Sequence, residues 1–421
     1  MPQLLLVTHE TDEPALDGAV AGLLAVRFGA RLRRLRGGRD LPGLDVRQHV
    51  LAGGGLAANG LLWAERASGQ PVDAGVEIAG PGDLPADGLL PDRSVAVAVN
   101  PQVTGDGSTA ALRAEAERRG WPVRTVQVVP DGERLVALVD GRIDGAEEVG
   151  RWQRDGFGRP MPAGTPAPAS DRPALRIVIL GTEAYHRRQY PAALAALGDA
   201  ADDLGLAVVV RFVAPDDLAA LRALVEGTMG RVDGILLPGG SDMGQVEGQI
   251  TAARLALRRD LPTAGLCLGM QSMATAALRE RLGLEEACLA EANPAAPVHS
   301  IVPRPDGEGG RHRLGDDATD LMPASRLGQL YGRARTVERY NHRYVLNPAL
   351  VPDLERVGVS VPALSATHGT ADAVEVADHP FFIGMQGHPE LNSAPGRAHP
   401  LLRGFLRAAA GRSRNPSRSH R

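Results

Sequence analysis

A chain of 421 residues is long enough for about two domains. Apolar residues make up 43% and charged residues 23%, and a net charge of −4 gives no electrostatic footprint for nucleic acid or an anionic membrane. There is no run of eighteen apolar residues, the N-terminus reads as a strand and not as a signal peptide, and Cys267 and Cys288 cannot build a disulfide framework, so a reducing, cytoplasmic setting is expected.

Residues 3–7 have the pattern of a buried strand, and 13–28 carry Ala15, Leu16, Val20, Leu23, Leu24 and Phe28 at helical spacing. The run Gly53-Gly54-Gly55 could cradle phosphate, but it lacks a Lys-Ser/Thr ending and reads better as a tight turn. All 46 basic side chains are arginine, which excludes any Walker-A, Schiff-base or general-base lysine. A strand follows at 93–99 and a helix at 108–119, and Pro130-Asp131-Gly132 separates two strands as a hairpin turn would. Residues 1–150 therefore predict a compact α/β domain, without a chemical signature that names its role.

Residues 151–174 are rich in proline and lack apolar periodicity, which predicts a semi-rigid linker. From Leu175 strand and helix patterns alternate: strands at 175–180, 206–213 and 232–237, and helices at 189–204, 215–228 and 247–259. Such alternation predicts a parallel sheet with helices on both faces and a site at the carboxyl ends of its strands. The polar, basic residues 411–421 predict a disordered tail after a domain spanning 175–410.

The chemistry concentrates in Ala264-Gly-Leu-Cys-Leu-Gly-Met-Gln-Ser272. A Cys at a sharp strand-to-helix turn, flanked by Gly265 and Gly269, is the thiol version of the Gly-x-Ser-x-Gly elbow. The elbow strains its nucleophile's backbone, and a β-carbon two residues away on either side would collide with neighbouring chain. The helix that follows directs free N–H groups and its dipole at Cys267, a setting that stabilises a thiolate. A Cys in an apolar setting is more often a buried small hydrophobe, the reading that suits Cys288. Met270 and Met273 read as core packing.

A nucleophilic thiol needs a base, and the base needs an orienting carboxylate. His388 and Glu390, two apart around Pro389 at the end of an apolar strand, supply that pair. Acyl transfer also needs N–H donors aimed at an oxyanion. Pro238-Gly239-Gly240 and the N–H of Leu268 are the candidates, although Pro-Gly-Gly alone would be a plain turn.

Gly-x-Cys-x-Gly, an upstream Pro-Gly-Gly and a distal His-Pro-Glu together resemble the class I, triad-type glutamine amidotransferase domain. More closely, residues 175–410 resemble the glutaminase domain of CTP synthase. The similarity rests on Asp233-Gly-Ile-Leu-Leu-Pro-Gly-Gly240, Val246-Glu-Gly248, Leu266-Cys-Leu-Gly-Met-Gln271, Val337-Glu-Arg-Tyr-Asn-His-Arg-Tyr344 with Asn347, and Gln386 to Phe405. The resemblance implies that Cys267 attacks the carboxamide of L-glutamine, with His388 and Glu390 completing a triad. It implies an oxyanion hole from Gly239 or Gly240 with Leu268. Gln271, Glu291 and Arg343 would then hold the amino-acid head, Arg343 on its α-carboxylate; an ordinary surface ion pair is the alternative for Glu291 and Arg343.

This chain departs from the family in Ser241–Gln245, where an aromatic and basic lid is usual, and in Asn341, which stands in place of an arginine. Residues 1–150 do not match the amidoligase half of CTP synthase. The expected activity is thus hydrolysis of glutamine to glutamate and ammonia, with ammonia passed to a synthetase domain or subunit. The glutaminase half needs no cofactor or metal; ATP and Mg would be used only by a ligase partner or by the N-terminal domain. Two other readings share the fold: a hydrolase of another γ-glutamyl compound, and a non-catalytic regulatory module.

Overall fold

The computed structural model describes residues 2–9, 16–35, 47–72, 74–84, 93–100, 104, 107–131, 134–139, 148–166, 174–228, 230–305 and 312–414. The chain divides into two compact units: Met1–Ala167 with Ala184–Ala195, and Pro168–Glu183 with Ala196–Arg421.

In the first unit the strands are β1 (Leu4–His9), β2 (Arg31–Leu35), β3 (His49–Val50), β4 (Leu56–Ala57), β5 (Glu77–Ile78), β6 (Val95–Ala98), β7 (Val123–Asp131), β8 (Arg134–Val139), β9 (Glu148–Arg154) and β10 (Pro160–Pro162). Eight of them form one sheet in the order β10-β9-β8-β7-β1-β6-β2-β5, parallel from β7 to β5 and antiparallel from β7 to β10. Val7, Val126 and Val128 pack on helix Leu16–Phe28 through Leu16, Val20 and Leu24. Leu4, Leu6, Val95 and Val97 face the other way, toward Leu112 and Ala116 of helix Ser108–Arg118. Apolar runs without alternation are what a sheet covered on both faces requires. The triple glycine is the turn between β3 and β4, with Gly54 and Gly55 at φ 91° and 104°. Gly132 and residues 13–15 lie outside the described residues.

The expected linker at 151–174 needs correction. Residues 151–154 continue β9, which pairs with β8 and buries Val149 and Trp152, and Pro160–Pro162 pairs with β9 as the sheet edge. Proline is tolerated on an edge strand because its missing N–H costs no ladder bond there, so proline content misdirected the expectation. Residues 167–173 lie outside the described residues.

In the second unit the strands are β11 (Leu175–Leu180), β12 (Val208–Val213), β13 (Gly234–Leu237), β14 (Thr263–Leu266), β15 (Ala287–Leu289), β16 (Val298–Pro303), β17 (Arg313–Leu321), β18 (Arg335–His342), β19 (Tyr344–Leu346), β20 (Val359–Ser360), β21 (Ala363–Ser365), β22 (Ala373–Val376) and β23 (Phe382–Met385). The main sheet runs β12-β11-β13-β14-β23-β22-β20. It is parallel from β12 to β23, as expected, and adds β22 and β20 antiparallel at one edge. Helices Leu218–Val225, Val246–Arg258 and Leu268–Leu282 share one core with this sheet, in which Met270 and Met273 are fully buried. Helix Pro400–Arg414 packs over β11, β13 and β14.

That last helix corrects the expected tail. It continues to Arg414 because Arg412 donates to the Asp260 carbonyl at 2.8 Å and Ser413 accepts from Arg231 at 2.7 Å. Basic composition concealed these anchors; residues 415–421 lie outside the described residues.

A buried ion pair ties β17 to the chain entering β22. Arg313 donates to both carboxylate oxygens of Asp372, at 2.5 and 3.2 Å, and its guanidinium lies 3.4 Å from the Tyr340 ring centroid. Thr319 and Tyr340 give Asp372 two more hydrogen bonds, at 2.7 and 2.8 Å. Removing one partner of such a pair strands a charge in the interior. Arg313→Met is therefore expected to cost about 3–5 kcal/mol in urea unfolding, whereas Arg335→Ala, at an exposed pair with Asp320, should cost under about 1 kcal/mol. Equal losses for the two variants would contradict this account.

Candidate active site

Three adjacent parallel strands deliver the site. Register places Leu237 beside Gly265 and Gly265 beside Gly384, so β13, β14 and β23 end at one level. Pro238-Gly239-Gly240 follows the first, Cys267 the second, and Gln386 to Glu390 the third. This is the carboxyl edge of a parallel sheet, where side chains leave the strands toward a crevice.

Cys267 caps helix Leu268–Leu282 with φ 49° and ψ −104°, and among the described non-glycine residues only Asp260 shares its positive φ. Its N–H is bonded to the Met385 carbonyl at 2.8 Å. The flanking glycines are sterically required: a β-carbon on Gly265 would lie 2.8 Å from the Gly269 carbonyl carbon, and one on Gly269 only 2.1 Å from the Leu237 oxygen. Gly384 lets the helix pass as closely, since its β-carbon would sit 2.8 Å from Met270 Cα.

His388 and Glu390 are both buried, and His388 Nδ1 lies 2.7 Å from Glu390 Oε1. The ring is anchored through its backbone N–H, which donates to the Arg339 carbonyl on β18 at 2.7 Å. Burial opposes a charge on His388, but the charge of Cys267, then that of Glu390, and hydrogen bonds to both outweigh it and push the imidazole up to about 10. Gly239 lies against Cys267 and His388: a β-carbon there would be 3.3 Å from His388 Cε1 and 3.5 Å from Cys267 Cβ. Gly240 is next to Leu268, whose N–H opens the helix without an intrahelical acceptor.

Gln271 is buried and donates to Gln386 Oε1 at 3.2 Å, while Gln386 Nε2 approaches Cys267 Sγ at 3.7 Å. The Asn341 carbonyl lies 3.9 Å from the same sulfur, and His312 holds the Asn341 side chain at 2.7 Å. Gln386 had no role in the sequence reading. Its signal was available: it precedes His388 by two positions at a strand end, and i and i+2 share a face. Glu291 and Arg343 are exposed and feel each other's charge, but no ion pair joins them among the described contacts. Partial desolvation raises the Glu291 carboxyl, against the pull of Arg343. Arg343 stands two residues beyond the carbonyl that meets the thiol.

Among the described residues no group of three His, Cys, Asp or Glu side chains could hold a metal. Cys288 is a free thiol on β15. No helix of the described residues is long and apolar enough to cross a membrane.

The family described as glutamine amidotransferase class-I matches residues 203–408. Residues 203–408 are thus similar to a class-I glutamine amidotransferase domain. CTP synthase of Thermus thermophilus is 36% identical over 245 residues, 56% of this chain and 44% of the relative. CTP synthase of Methanothermobacter thermautotrophicus is 33% identical over 298 residues, 69% of this chain and 53% of the relative. The chain thus spans about half the length of the curated relatives it matches. A solved glutaminase domain of Trypanosoma brucei CTPS with bound acivicin aligns at 26% identity and a TM-score of 0.53, covering 56% of this chain and 94% of that one.

Two outcomes follow for the amidotransferase site. In 13C-histidine NMR one imidazole should titrate near pH 10, and Cys267→Ser should move it downward by removing a group that raises it; an unmoved midpoint would refute the pairing. Gln386→Leu should slow alkylation of Cys267 by iodoacetamide roughly tenfold, the order of one lost hydrogen bond to a charged group, without lowering the unfolding midpoint by more than a few degrees.

Proposed function

We propose that the chain hydrolyses L-glutamine to glutamate and ammonia through a Cys267–His388–Glu390 triad. The observation that carries this reading is the convergence of Cys267, His388 and Glu390 at adjoining strand ends, with His388 Nδ1 2.7 Å from Glu390 Oε1.

His388 Nε2 takes the proton of the Cys267 thiol as the sulfur attacks. Cys267 Sγ adds to the side-chain carboxamide carbon of glutamine, and the oxyanion that forms is met by the N–H of Leu268 and that of Gly239 or Gly240. His388 Nε2 then gives its proton to the departing amine while Glu390 keeps Nδ1–H oriented. Ammonia leaves and a thioester remains on Cys267. Water, deprotonated by the now neutral His388, attacks the thioester; glutamate departs and His388 returns the proton to the Cys267 sulfur. Gln271 and Glu291 hold the amino-acid head, and Arg343 presents a planar two-pronged donor to the α-carboxylate. Preorganisation through Gln386 and the Asn341 carbonyl keeps the sulfur on one line of attack.

The ammonia passes to a synthetase site, on a separate chain or on the first unit, as the similarity to CTP synthases supports. ATP and Mg belong to that acceptor and not to the glutaminase site.

Glutamate release from glutamine by the purified chain, with and without ATP and UTP, is the direct test. Cys267→Ala should reduce it at least about a thousandfold and Glu390→Gln about tenfold to a hundredfold. Arg343→Ala should raise KM far more than it lowers kcat. Activity surviving in Cys267→Ala, or release from other γ-glutamyl compounds but never from glutamine, would overturn the reading.

A further inference from the structure

The strand that anchors His388 has a second use. β18 is an outer strand of its three-stranded sheet, so one of its edges is open to groups outside the ladder. Two carbonyls on it meet the candidate site. Arg339 accepts the His388 N–H at 2.7 Å, and Asn341, two residues on, lies 3.9 Å from Cys267 Sγ.

The side chain of Asn341 is held at one end only. Its Oδ1 lies 2.7 Å from His312 Nε2. An amide oxygen only accepts, so the His312 ring carries its hydrogen on Nε2, and the Asn341 Nδ2 group remains as a donor. His312 is itself held, because the next residue opens β17, where Arg313 is locked to Asp372 and paired with His342 on β18. In that antiparallel register His312 and Arg343 follow at the same end of the ladder. Residues two apart on a strand share a face, which puts the Asn341 amide on the side of Arg343. Asn341 is half-buried and Arg343 exposed, so a ligand can reach both. Among the described residues the Arg343 guanidinium meets only the charge of Glu291, and Asn341 Nδ2 has no acceptor.

We propose that Asn341 is a specificity-determining residue for the amino-acid head of the substrate. Its Nδ2 donates to the α-carboxylate beside Arg343, and His312 is the positioning residue that fixes the amide for this contact. The inference rests on the glutamine-hydrolysing reading above. A charged donor and a neutral donor side by side suit an acceptor-only group such as a carboxylate, whereas Glu291 suits the amine. The span also fits. Two residues of strand rise about 6–7 Å, a length that an extended glutamine covers from its carboxamide to its α-carboxylate. With its carboxamide at the sulfur, beside the Asn341 carbonyl, the ligand carries its head along β18 to the Asn341 amide and Arg343.

Calorimetric titration of the full chain carrying Cys267→Ser with L-glutamine separates this contact from turnover. Binding should weaken about tenfold in Asn341→Ala, the order of one lost hydrogen bond to a charged group. Asn341→Asp should be weaker still, because its charge opposes the carboxylate although it keeps the acceptor for His312. A merely structural pair would survive that substitution. His312→Ala should weaken binding about fivefold, and His312→Gln, which can place an N–H where Nε2 stands, should restore it to within about twofold. With Cys267 intact, Asn341→Ala should raise KM about tenfold and leave kcat within about twofold. Glutamine binding unchanged in Asn341→Ala, or near the unsubstituted value in Asn341→Asp, overturns the proposal and leaves glutamine hydrolysis standing. Glutamine that binds with these differences but is never turned over when Cys267 is intact overturns the hydrolysis reading and not this contact. No glutamine binding to any of the chains overturns both.

Discussion

One backbone conformation governs the second unit: the positive φ of Cys267 where β14 becomes a helix. A β-carbon in that region costs about 1–3 kcal/mol, so the surroundings must hold it. They do so on three sides. The N–H of Cys267 is tied to β23 and its carbonyl receives the Gln271 N–H at 3.2 Å. Gly265, Gly269 and Gly384 allow strand and helix backbones to approach more closely than any side chain would permit. The strain thereby becomes a fixed aim for the sulfur, out of the sheet and toward His388.

The imidazole is held by a separate structure. β18 receives the His388 N–H on its Arg339 carbonyl and, one residue earlier, presents Glu338. That buried carboxylate accepts from Asn392 at 2.8 Å and Tyr331 at 2.6 Å, and lies 3.3 Å from His399. The turn Pro389–Asn392, which carries Glu390, is thus pinned from a strand outside the main sheet. Asp372 joins the same support, since its carbonyl receives the Gln386 N–H at 2.8 Å while its carboxylate is locked by Arg313. The imidazole therefore has a second support besides β23, the strand to which the thiol's own backbone is bonded.

The legible part of this site was the part with short-range geometric cause. An elbow needs its glycines at fixed spacing around the nucleophile, so residues 264–272 declare themselves without a fold. Strand and helix periodicity in 175–282 was equally local, and the parallel order followed from alternation. What escaped had causes distant in sequence. Gln386 is defined by Gln271 and Cys267, more than a hundred residues away. The antiparallel edge of β22 and β20 depends on side chains that alternate weakly and are buried by tertiary packing. In the first unit, proline on an edge strand looked like a linker because composition does not say which side of a strand lacks a neighbour.

Charge distribution gives the last step of the synthesis. The candidate site gathers Cys267, His388 and Glu390 in a buried setting, and His342 lies close by. Burial and the nearby Arg313 hold His342 well below the ordinary imidazole range, and its Nδ1 sits 2.9 Å from the Tyr344 carbonyl. A second imidazolium there would repel the charge on His388, one of the causes that keep His342 neutral. The neutral ring fills the space with a polar group that carries no charge at working pH. His388 is thus set apart from His342: one imidazole is raised by Cys267 and Glu390, the other lowered by burial and Arg313.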